Sequence, residues 1–393
     1  MSPLLSHLEA MAAPPLAPSD AILVLIMLAG GNDALNTVVP INDSNYYAMR
    51  PSIGLAPSTT LNVNGAVGFH PALTSVKQHF DAGHVAVIQG VGVNPPDFSH
   101  FSSMGAWMQG WGGTSVSYPT GWIGRYLDGL PNASTESLYA VSLNTNGVPL
   151  HLVGQTGRGS SLPMSVGGRF GVDRSDQDNA RLYDDLASFS ASGDTDLGTN
   201  GDAIARAGAQ LLRLTGRIAP AYPPSDSVPE DSCARQMQLV ARLVNRNLGI
   251  RVFNVTLDGF DTHTGQLASH ATLMASLDLG INTLMSTLDP AWQDNVMGLT
   301  FSELGRRPSE NDGGGTDHGS AGTSLAIGMR VKGGMYGAAP SLAPNALVDY
   351  GNLEATVDYR SMYATILSKW LAADDRQILG SHYPQLGFVR SHP

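Results

Sequence analysis

This chain of 393 residues is poor in the features that mark disulfide-bonded, nucleic-acid-binding and membrane-spanning proteins. Cys233 is its only cysteine, so no intrachain disulfide can form. Charged residues make up 14% of the chain, below the usual level of roughly 25%. The net charge is −11 and no run of Lys or Arg occurs, which argues against nucleic acid or an anionic membrane as partner. The apolar run over residues 21–29 is shorter than the about 20 residues that span a bilayer.

The apolar residues that are present follow an alternating pattern of strands and helices. Hydrophobic residues make up 42% of the chain, enough for a sizeable core. Uninterrupted apolar runs predict buried strands, and apolar residues at helical spacing predict helices. Strands are predicted over 21–29, 84–91, 251–257 and 296–301, and helices over 71–80, 203–214, 233–247, 270–288 and 359–371. This order predicts an α/β/α sandwich with a mostly parallel central sheet.

The rest of the chain predicts loops around one domain. Residues 1–20 are interpreted as a flexible lead-in, and residues 21–393 as a single domain. Stretches rich in Gly, Ser and Pro between about residues 112 and 230 predict inserted loops, and residues 188–201 have almost no apolar content. No internal repeat is visible in the sequence. The sequence gives no indication of the oligomeric state.

Carboxylates and imidazoles follow three of the strand-like runs. Asp33 ends LAGGND after the first strand, Asp261 and His263 lie in DGFDTH, and Asp317 precedes His318 in GTDHG. Because ligands of open α/β sheets bind at the carboxyl ends of the strands, we expect these five side chains to converge. Their chemistry is that of divalent-metal ligands.

Each of these assignments has a structural alternative. Asp33 is also a typical helix N-cap, and the polar residues of DGFDTH also suit a hydrogen-bonded loop. Asp258, His270 and Glu303 are further candidate ligands or residues that support the ligands.

A second group of residues suits catalysis and substrate binding. Ser99 precedes a predicted helix, where free N–H groups stabilise an anion, so it is the candidate nucleophile, although the N-cap role fits it as well. His100 is a candidate base and Lys332 a candidate for stabilising negative charge; Lys332 also suits a solvated surface position. Three residues are candidates for substrate binding, namely Asn36, Arg306 and Arg307.

Seven motifs together resemble one bacterial family. They are LAGGNDALNTVVP, FHPAL, FSHF, LDGFDTH, FSELGRRPSEN, GTDHG and VKGGMYG, spread from about Leu23 to Leu371. The chain resembles the domain of unknown function 1501 family, in the alkaline phosphatase/sulfatase superfamily. The resemblance implies an alkaline-phosphatase-like fold, twin-arginine export and a periplasmic or extracellular location, although no such leader is visible in this chain.

The same resemblance implies roles for individual residues. Asp33, Asp261, His263, Asp317 and His318 correspond to metal ligands, Ser99 to the nucleophile, and Lys332 to a lysine that contacts sulfate. Two features depart from the superfamily pattern. The Asp-His pair follows a long glycine-rich excursion after Glu303, and the third histidine is missing, with His270 as the substitute.

Two hypotheses from different classes follow. The first is a metal-dependent hydrolase of phosphate or sulfate esters, acting on a small-molecule or glycan ester with a serine nucleophile. Zinc suits its His and Asp ligands best, whereas calcium or magnesium suits a carboxylate-rich site. The alternative is a non-catalytic secreted binding or assembly protein with a degenerate metal site.

Overall fold

The computed structural model describes most of the chain. Its residues are 15–17, 19–111, 120–131, 138–143, 147–157, 159–162, 181, 218–222 and 227–390. The predicted helix over 203–214, the predicted loop over 188–201 and most of the predicted lead-in lie outside these residues. The single domain over 21–393 therefore stays a prediction.

The strands and helices alternate along the first half and the last third of the chain. The strands are β1 (Ile22–Ala29), β2 (Val38–Val39), β3 (Leu61–Asn62), β4 (Gly68–Phe69), β5 (Val85–Gly92), β6 (Ala140–Ser142), β7 (Ser160–Ser161), β8 (Val252–Asp258), β9 (Val296–Phe301), β10 (Gly305–Arg306), β11 (His318–Gly319), β12 (Ala321–Ile327), β13 (Gly334–Tyr336) and β14 (Val357–Asp358). The helices are α1 (Ala34–Thr37), α2 (Ser44–Met49), α3 (Thr74–Asp81), α4 (His100–Gln109), α5 (Trp122–Asp128), α6 (Ser232–Asn245), α7 (Gln266–Thr287), α8 (Tyr359–Thr365) and α9 (Asp375–Leu379), and a π turn over Ile366–Trp370 continues α8.

One large sheet organises the structure. Its strand order is β13-β5-β12-β9-β1-β8-β6-β7, and β14 pairs with β5. The pairs of β1 with β8 and β9 are parallel, whereas β12 runs antiparallel to both β5 and β9. The strands β1, β5, β8 and β9 therefore point the same way, and their carboxyl ends lie at one edge of the sheet.

Helices cover both faces of the sheet because β1 is apolar on both sides. Leu23 and Leu25 belong to the core shared with α4, α5 and α8, whereas Val24 and Ile26 belong to the core shared with α3, α6 and α7. Alternate residues of a strand point to opposite faces, so a continuous apolar run requires two helical layers. The predicted α/β/α sandwich with a mostly parallel sheet is confirmed.

Some details differ from the sequence-based expectations. β12 separates β5 from β9 as an antiparallel strand, which the order of the apolar runs did not predict. The helix α7 begins at Gln266, directly after Gly265, four residues before the predicted start at His270. No helix in the described part of the chain is both long and apolar enough to cross a bilayer.

Candidate functional site

Four side chains meet at the carboxyl edge of the sheet. The Oδ1 atom of Asp261 lies 3.1 Å from Nε2 of His263, 3.2 Å from Nε2 of His318 and 3.4 Å from Nε2 of His100. The Nε2 atoms of His263 and His318 are 3.0 Å apart. We call these four residues the Asp261 cluster.

The other ring nitrogen of each imidazole in the Asp261 cluster lies near an oxygen atom. These contacts are His100 Nδ1 to Glu303 Oε1 at 2.8 Å, His318 Nδ1 to the Phe98 carbonyl at 2.7 Å, and His263 Nδ1 to Asp317 Oδ1 at 3.3 Å. A carbonyl or an ionised carboxylate can only accept a hydrogen bond, so each Nδ1 carries the proton. In a neutral ring, Nε2 then presents a lone pair to Asp261.

Such an arrangement of lone pairs needs a positive charge between them. Two Nε2 acceptors at 3.0 Å, both facing a carboxylate oxygen, repel one another unless a cation or protons lie between. Histidines that bind metals typically donate their other N–H to a carboxylate or a carbonyl, as all three do here. The donor set of the Asp261 cluster therefore fits a metal ion.

The strand order and one short hairpin bring the cluster together. Asp261 and His263 follow the end of β8, and His100 begins α4 after β5. The strands β10 and β11 pair antiparallel, with Arg306 opposite His318. The glycine-rich excursion that departs from the superfamily pattern thus returns His318 to the end of β9.

The excursion packs tightly on the DGFDTH loop. Asn311 Nδ2 donates to the carbonyl of His263 at 3.0 Å and to Oδ1 of Asp317 at 3.2 Å. A Cβ atom on Gly315 would lie 2.4 Å from the carbonyl carbon and oxygen of His263. Only glycine permits this approach, which holds the loop of His263 and the loop of His318 against each other.

Arg306 holds Asp261 from below the cluster. Its side chain is fully buried, and its Nη2 atom lies 2.6 Å from Oδ1 of Asp261. Its other donors bind the carbonyl oxygens of Gly31 and Thr316 at 2.8 and 2.9 Å. The predicted role of Arg306 in substrate binding does not agree with this geometry, because the guanidinium is buried and already bonded to the protein.

Asp261 is ionised over the ordinary pH range. Burial raises the pKa of its carboxyl group, but hydrogen bonds from Arg306 and His318 outweigh that effect and hold the pKa at about 2. The side chain is 48% exposed, so this negative charge faces the solvent as well as the imidazoles.

Asp33 lies outside the Asp261 cluster, in a buried ion pair. Its two oxygens accept from Nη1 and Nη2 of Arg50 at 2.5 and 2.9 Å, and Oδ1 also caps α1 through the N–H of Leu35. Burial raises the pKa of Asp33, yet Arg50 lowers it below the ordinary value overall. The structural alternative for Asp33, the N-cap, is present, and its role as a metal ligand stays a prediction that these contacts do not favour.

Asn36 and His270 are buried beside Asp33. Asn36 accepts from Tyr46 and Arg50 and donates to the carbonyl of Ile53, so the geometry does not agree with a substrate-binding role. His270 is 3.1 Å from Oδ1 of Asn32 through Nε2. Burial lowers the pKa of His270 to about 4, and these contacts do not favour its predicted role as the third metal histidine.

Lys332 lies at the opposite edge of the sheet. The next residue, Gly333, bonds through its N–H to the carbonyl of Gly83, just before β5 begins, whereas the cluster follows the end of β5. Eight residues of strand, roughly 26 Å, separate the two ends. The contact of Lys332 with the reacting group stays a prediction that this placement does not favour. Asp258 ends β8 as an exposed residue.

Ser99 lies in the chain between Phe98 and His100, which both make contacts within the site. Its neighbours are Phe98, whose carbonyl accepts from His318, and His100. Ser99 is exposed, its side chain makes no capping hydrogen bond, and its N–H donates to Oδ1 of Asp97 at 2.9 Å. The structure thus leaves its hydroxyl available, and the nucleophilic role stays a prediction.

Sequence reasoning missed several residues that build the site. Arg50 and Gln266 are buried and bind Asp33, and Phe98 contributes only a backbone carbonyl. The sequence does not show which backbone carbonyl will accept a hydrogen bond, whereas an arginine or glutamine within an apolar pattern can be recognised in it.

A cavity of about 490 Å³ is lined by residues such as Arg125 and Leu371 and does not include the Asp261 cluster.

A protein-family model matches most of the chain. The chain belongs to the family described as "Protein of unknown function (DUF1501)", which matches residues 20–384. No curated protein sequence matches the chain significantly.

Three solved structures are similar to this chain at low identity. Ps i-CgsB in complex with k-i-k-neocarrahexaose has 12% identity and a TM-score of 0.41, with 93% of this chain and 73% of that chain covered. The PsFucS1 sulfatase from Pseudoalteromonas sp. has 12% identity and a TM-score of 0.37, covering 96% and 70%. A protein in the alkaline phosphatase superfamily from Vibrio parahaemolyticus has 9% identity and a TM-score of 0.36, covering 95% and 78%.

Proposed function

We propose that this protein is a metal-dependent hydrolase of phosphate or sulfate esters. The observation that supports this most is the meeting of three imidazole Nε2 atoms with the ionised Oδ1 of Asp261. His100, His263, His318 and Asp261 would hold the ion. His100 thus moves from the predicted base to a ligand.

The donor set favours zinc over the harder cations. Three nitrogens and one oxygen match zinc sites, whereas calcium and magnesium prefer oxygen ligands. The ligand atoms of His100, Asp261 and His318 all lie within 4.8 Å of one another. His263 Nε2 lies 3.1 Å from Asp261 Oδ1 and 3.0 Å from His318 Nε2, outside that set of three.

The cation would supply Lewis acidity toward an ester oxygen and favour the ionised form of a nearby hydroxyl. Ser99 would attack the phosphorus or sulfur atom through Oγ. The new Oγ bond forms as the ester bond breaks; the hydroxyl of Ser99 loses its proton to solvent, and the departing alkoxide takes one proton from solvent. Attack by water then releases the phosphate or sulfate and restores the serine. The free N–H groups at the start of α4 favour the negative charge that develops beside Ser99.

Arg307 replaces Arg306 as the proposed anion-binding residue. Its Nε atom is buried and has no hydrogen-bond partner among the described residues. Its backbone N–H donates to the carbonyl of Asp317 at 3.0 Å, which fixes it beside the rim of the cluster. A buried donor without a partner is costly, so a substrate oxygen is a fitting acceptor.

Phe101 gives the substrate a place for its organic part. The ring is 91% exposed, and the residue directly follows His100 in the chain. Large aromatic side chains gain most from contact with another ring or apolar face. We therefore propose that the small-molecule or glycan ester carries such a face next to the cleaved bond.

The test uses protein stripped with a chelator and then given zinc, magnesium or calcium. Chromogenic aryl phosphate monoesters, diesters and sulfates are the substrates. We expect turnover that requires zinc and is lost in Ser99→Ala. No chelator-sensitive turnover on any ester would contradict the hydrolase, whereas activity in Ser99→Ala would contradict only the nucleophile.

A binding or assembly protein is the second candidate. Asp33 corresponds to a metal ligand of the superfamily, but here its carboxylate is paired with Arg50. This ion pair favours the binding or assembly protein, because the carboxylate is already bonded. Metal analysis of the purified protein separates the two candidates. Stoichiometric metal that is lost on His318→Ala favours the enzyme, and no bound metal favours the scaffold.

Export is proposed on the family alone. We propose twin-arginine export to a periplasmic or extracellular location. Fractionation of cells that express the full-length gene, with and without a working twin-arginine translocase, tests this. A product that stays in the cytoplasm of cells with a working translocase would contradict it.

A further inference from the structure

We infer that Gln266 is a positioning residue that sets the spacing of the two ligand-bearing loops. This inference rests on the proposed metal site, and it gives the buried Asp33 pair a role in that site. Gln266 is fully buried at the first position of α7.

The side chain of Gln266 joins three parts of the chain. Its Nε2 donates to Oδ2 of Asp33, and its Oε1 accepts from Oγ1 of Thr262 at 3.0 Å and from Oγ1 of Thr316 at 2.6 Å. The orientation of the amide is fixed by its partners, because an ionised carboxylate can only accept and each hydroxyl has a proton to give.

The two threonines are placed directly beside the proposed ligands. Thr262 separates Asp261 from His263, and Thr316 lies two residues before His318. Both threonines are buried, and the N–H of Thr316 also bonds to the carbonyl of Thr262 at 3.2 Å. One amide oxygen therefore ties the loop of Asp261 and His263 to the loop of His318.

Asp33 and Arg50 make this tie rigid. Both side chains are at most 1% exposed, and Asp33 is held at both oxygens by the guanidinium. A buried network in which each member is satisfied fixes one arrangement of its atoms. The first strand motif would thus serve the metal through Gln266 and not as a ligand.

The experiment compares two buried glutamines. Gln266→Met removes the amide and keeps the length of the side chain. The matched control is Gln236→Met, because Gln236 is also buried on a helix and bonds to backbone groups of Ser232 and Thr256, away from both loops. Zinc affinity is measured by competition with a chromogenic chelator, and unfolding of the metal-free protein by urea.

We expect the zinc affinity to fall by about tenfold or more in Gln266→Met, and to stay unchanged in Gln236→Met at a similar loss of stability. Equal zinc affinities of Gln266→Met and the wild type would overturn the inference. So would an equal fall in both variants, since that is a general effect of lost stability.

A gentler pair covers the case in which Gln266→Met does not fold. Thr316→Val removes one hydroxyl donor, and Thr316→Ser retains it. We expect weaker zinc binding in Thr316→Val and recovery in Thr316→Ser; equal affinities in the two would overturn the inference. Zinc binding without ester turnover would contradict the proposed function only, whereas a wild type that binds no zinc would contradict both.

Discussion

Asp33 and Asp261 begin from nearly the same position and meet different surroundings. Each follows one of two neighbouring parallel strands, β1 and β8, whose ends pair as Ala29 with Asp258. Each is bound by a buried arginine, Arg50 or Arg306. Asp33 is buried with both oxygens bonded to its arginine, whereas Asp261 is 48% exposed and faces three imidazoles.

The contrast shows that the position of an aspartate after a strand does not by itself determine its function. Asp33 is turned inward because α1 starts at once and the N–H of Leu35 needs a cap. Asp261 lies two residues beyond Gly259, whose φ of +107° belongs to the region that favours glycine. Its side chain is 48% exposed although its neighbours Phe260 and Thr262 are buried. The buried carboxylate stabilises the edge of the sheet, and the exposed one is free to bind a cation.

The largest expected effect is on the Asp33 side of the comparison. Arg50→Met leaves the Asp33 carboxylate buried without its cation and should lower the free energy of unfolding by about 3–5 kcal/mol. Urea unfolding of the metal-free protein measures this. The control is Lys77→Met, which breaks the partly exposed Lys77–Asp81 pair and should cost about 0.3–0.5 kcal/mol. Similar losses in the two variants would show that the Asp33 pair is not a main support.

Next in size is the loss of a ligand on the Asp261 side. His318→Ala removes one Nε2 donor, so zinc affinity should fall by more than about 100-fold, beyond the usual cost of losing an outer partner. Chelator competition measures it, with His382→Ala at an exposed histidine as the control. Zinc affinity equal to that of the wild type would remove His318 from the site.

As the pH falls, protonation of buried histidines should destabilise the fold before the exposed Asp261 is protonated. Burial lowers the pKa of His70, His151 and His270 to about 4, against 6.5 for an unperturbed histidine. The unfolded chain binds the protons first, so the stability from these neutral rings is present above about pH 6.5 and lost as the pH falls through about 4.

His151 allows this effect to be measured away from the cluster. Each fully buried ring should cost about 2 kcal/mol between about pH 7 and about pH 5. Urea unfolding at the two pH values should show a smaller difference for His151→Phe than for the wild type. An unchanged difference would mean that His151 does not titrate in this way.

The smallest expected effect concerns the substrate. Arg307→Met should raise KM for an aryl phosphate about tenfold, the value of one charged hydrogen bond, with zinc affinity unchanged. Steady-state kinetics measure it, and Arg246→Met, at the exposed end of α6, is the control. An unchanged KM would leave the buried Nε of Arg307 without a functional explanation.

The sequence predicts the layers of this fold better than it predicts the contacts at the site. Apolar runs identify β1, β5, β8 and β9 because burial on both faces requires them. The insertion of β12 between β5 and β9 depends on long-range pairing, which no local pattern reports. Five of the predicted site residues, His100, Asp261, His263, Asp317 and His318, lie together with Glu303, since strand direction sets where they end.

The predictions that the geometry does not support share one cause. Asn36 and Arg306 have polar side chains that the chain uses for its own loops, and Lys332 is near the wrong end of a strand. Residue type reveals what a side chain can bind, but only the surrounding backbone reveals whether a donor is already used. Arg306 and Arg307 are adjacent, yet Arg306 ends β10 with its guanidinium bonded to the protein, whereas the Nε atom of Arg307 has no partner among the described residues.

The positions that form the Asp261 cluster also determine when it can form. Its members come from residue 100, from residues 261 and 263, and from residue 318, and they become neighbours only through the strands between them. Of the four residues, only Asp261 and His263 are close in sequence, so an unfolded chain should bind an ion weakly. Bringing together residues so distant in sequence costs loop-closure entropy before their contacts stabilise the fold. The proposed metal site should therefore bind an ion only once the sheet is complete.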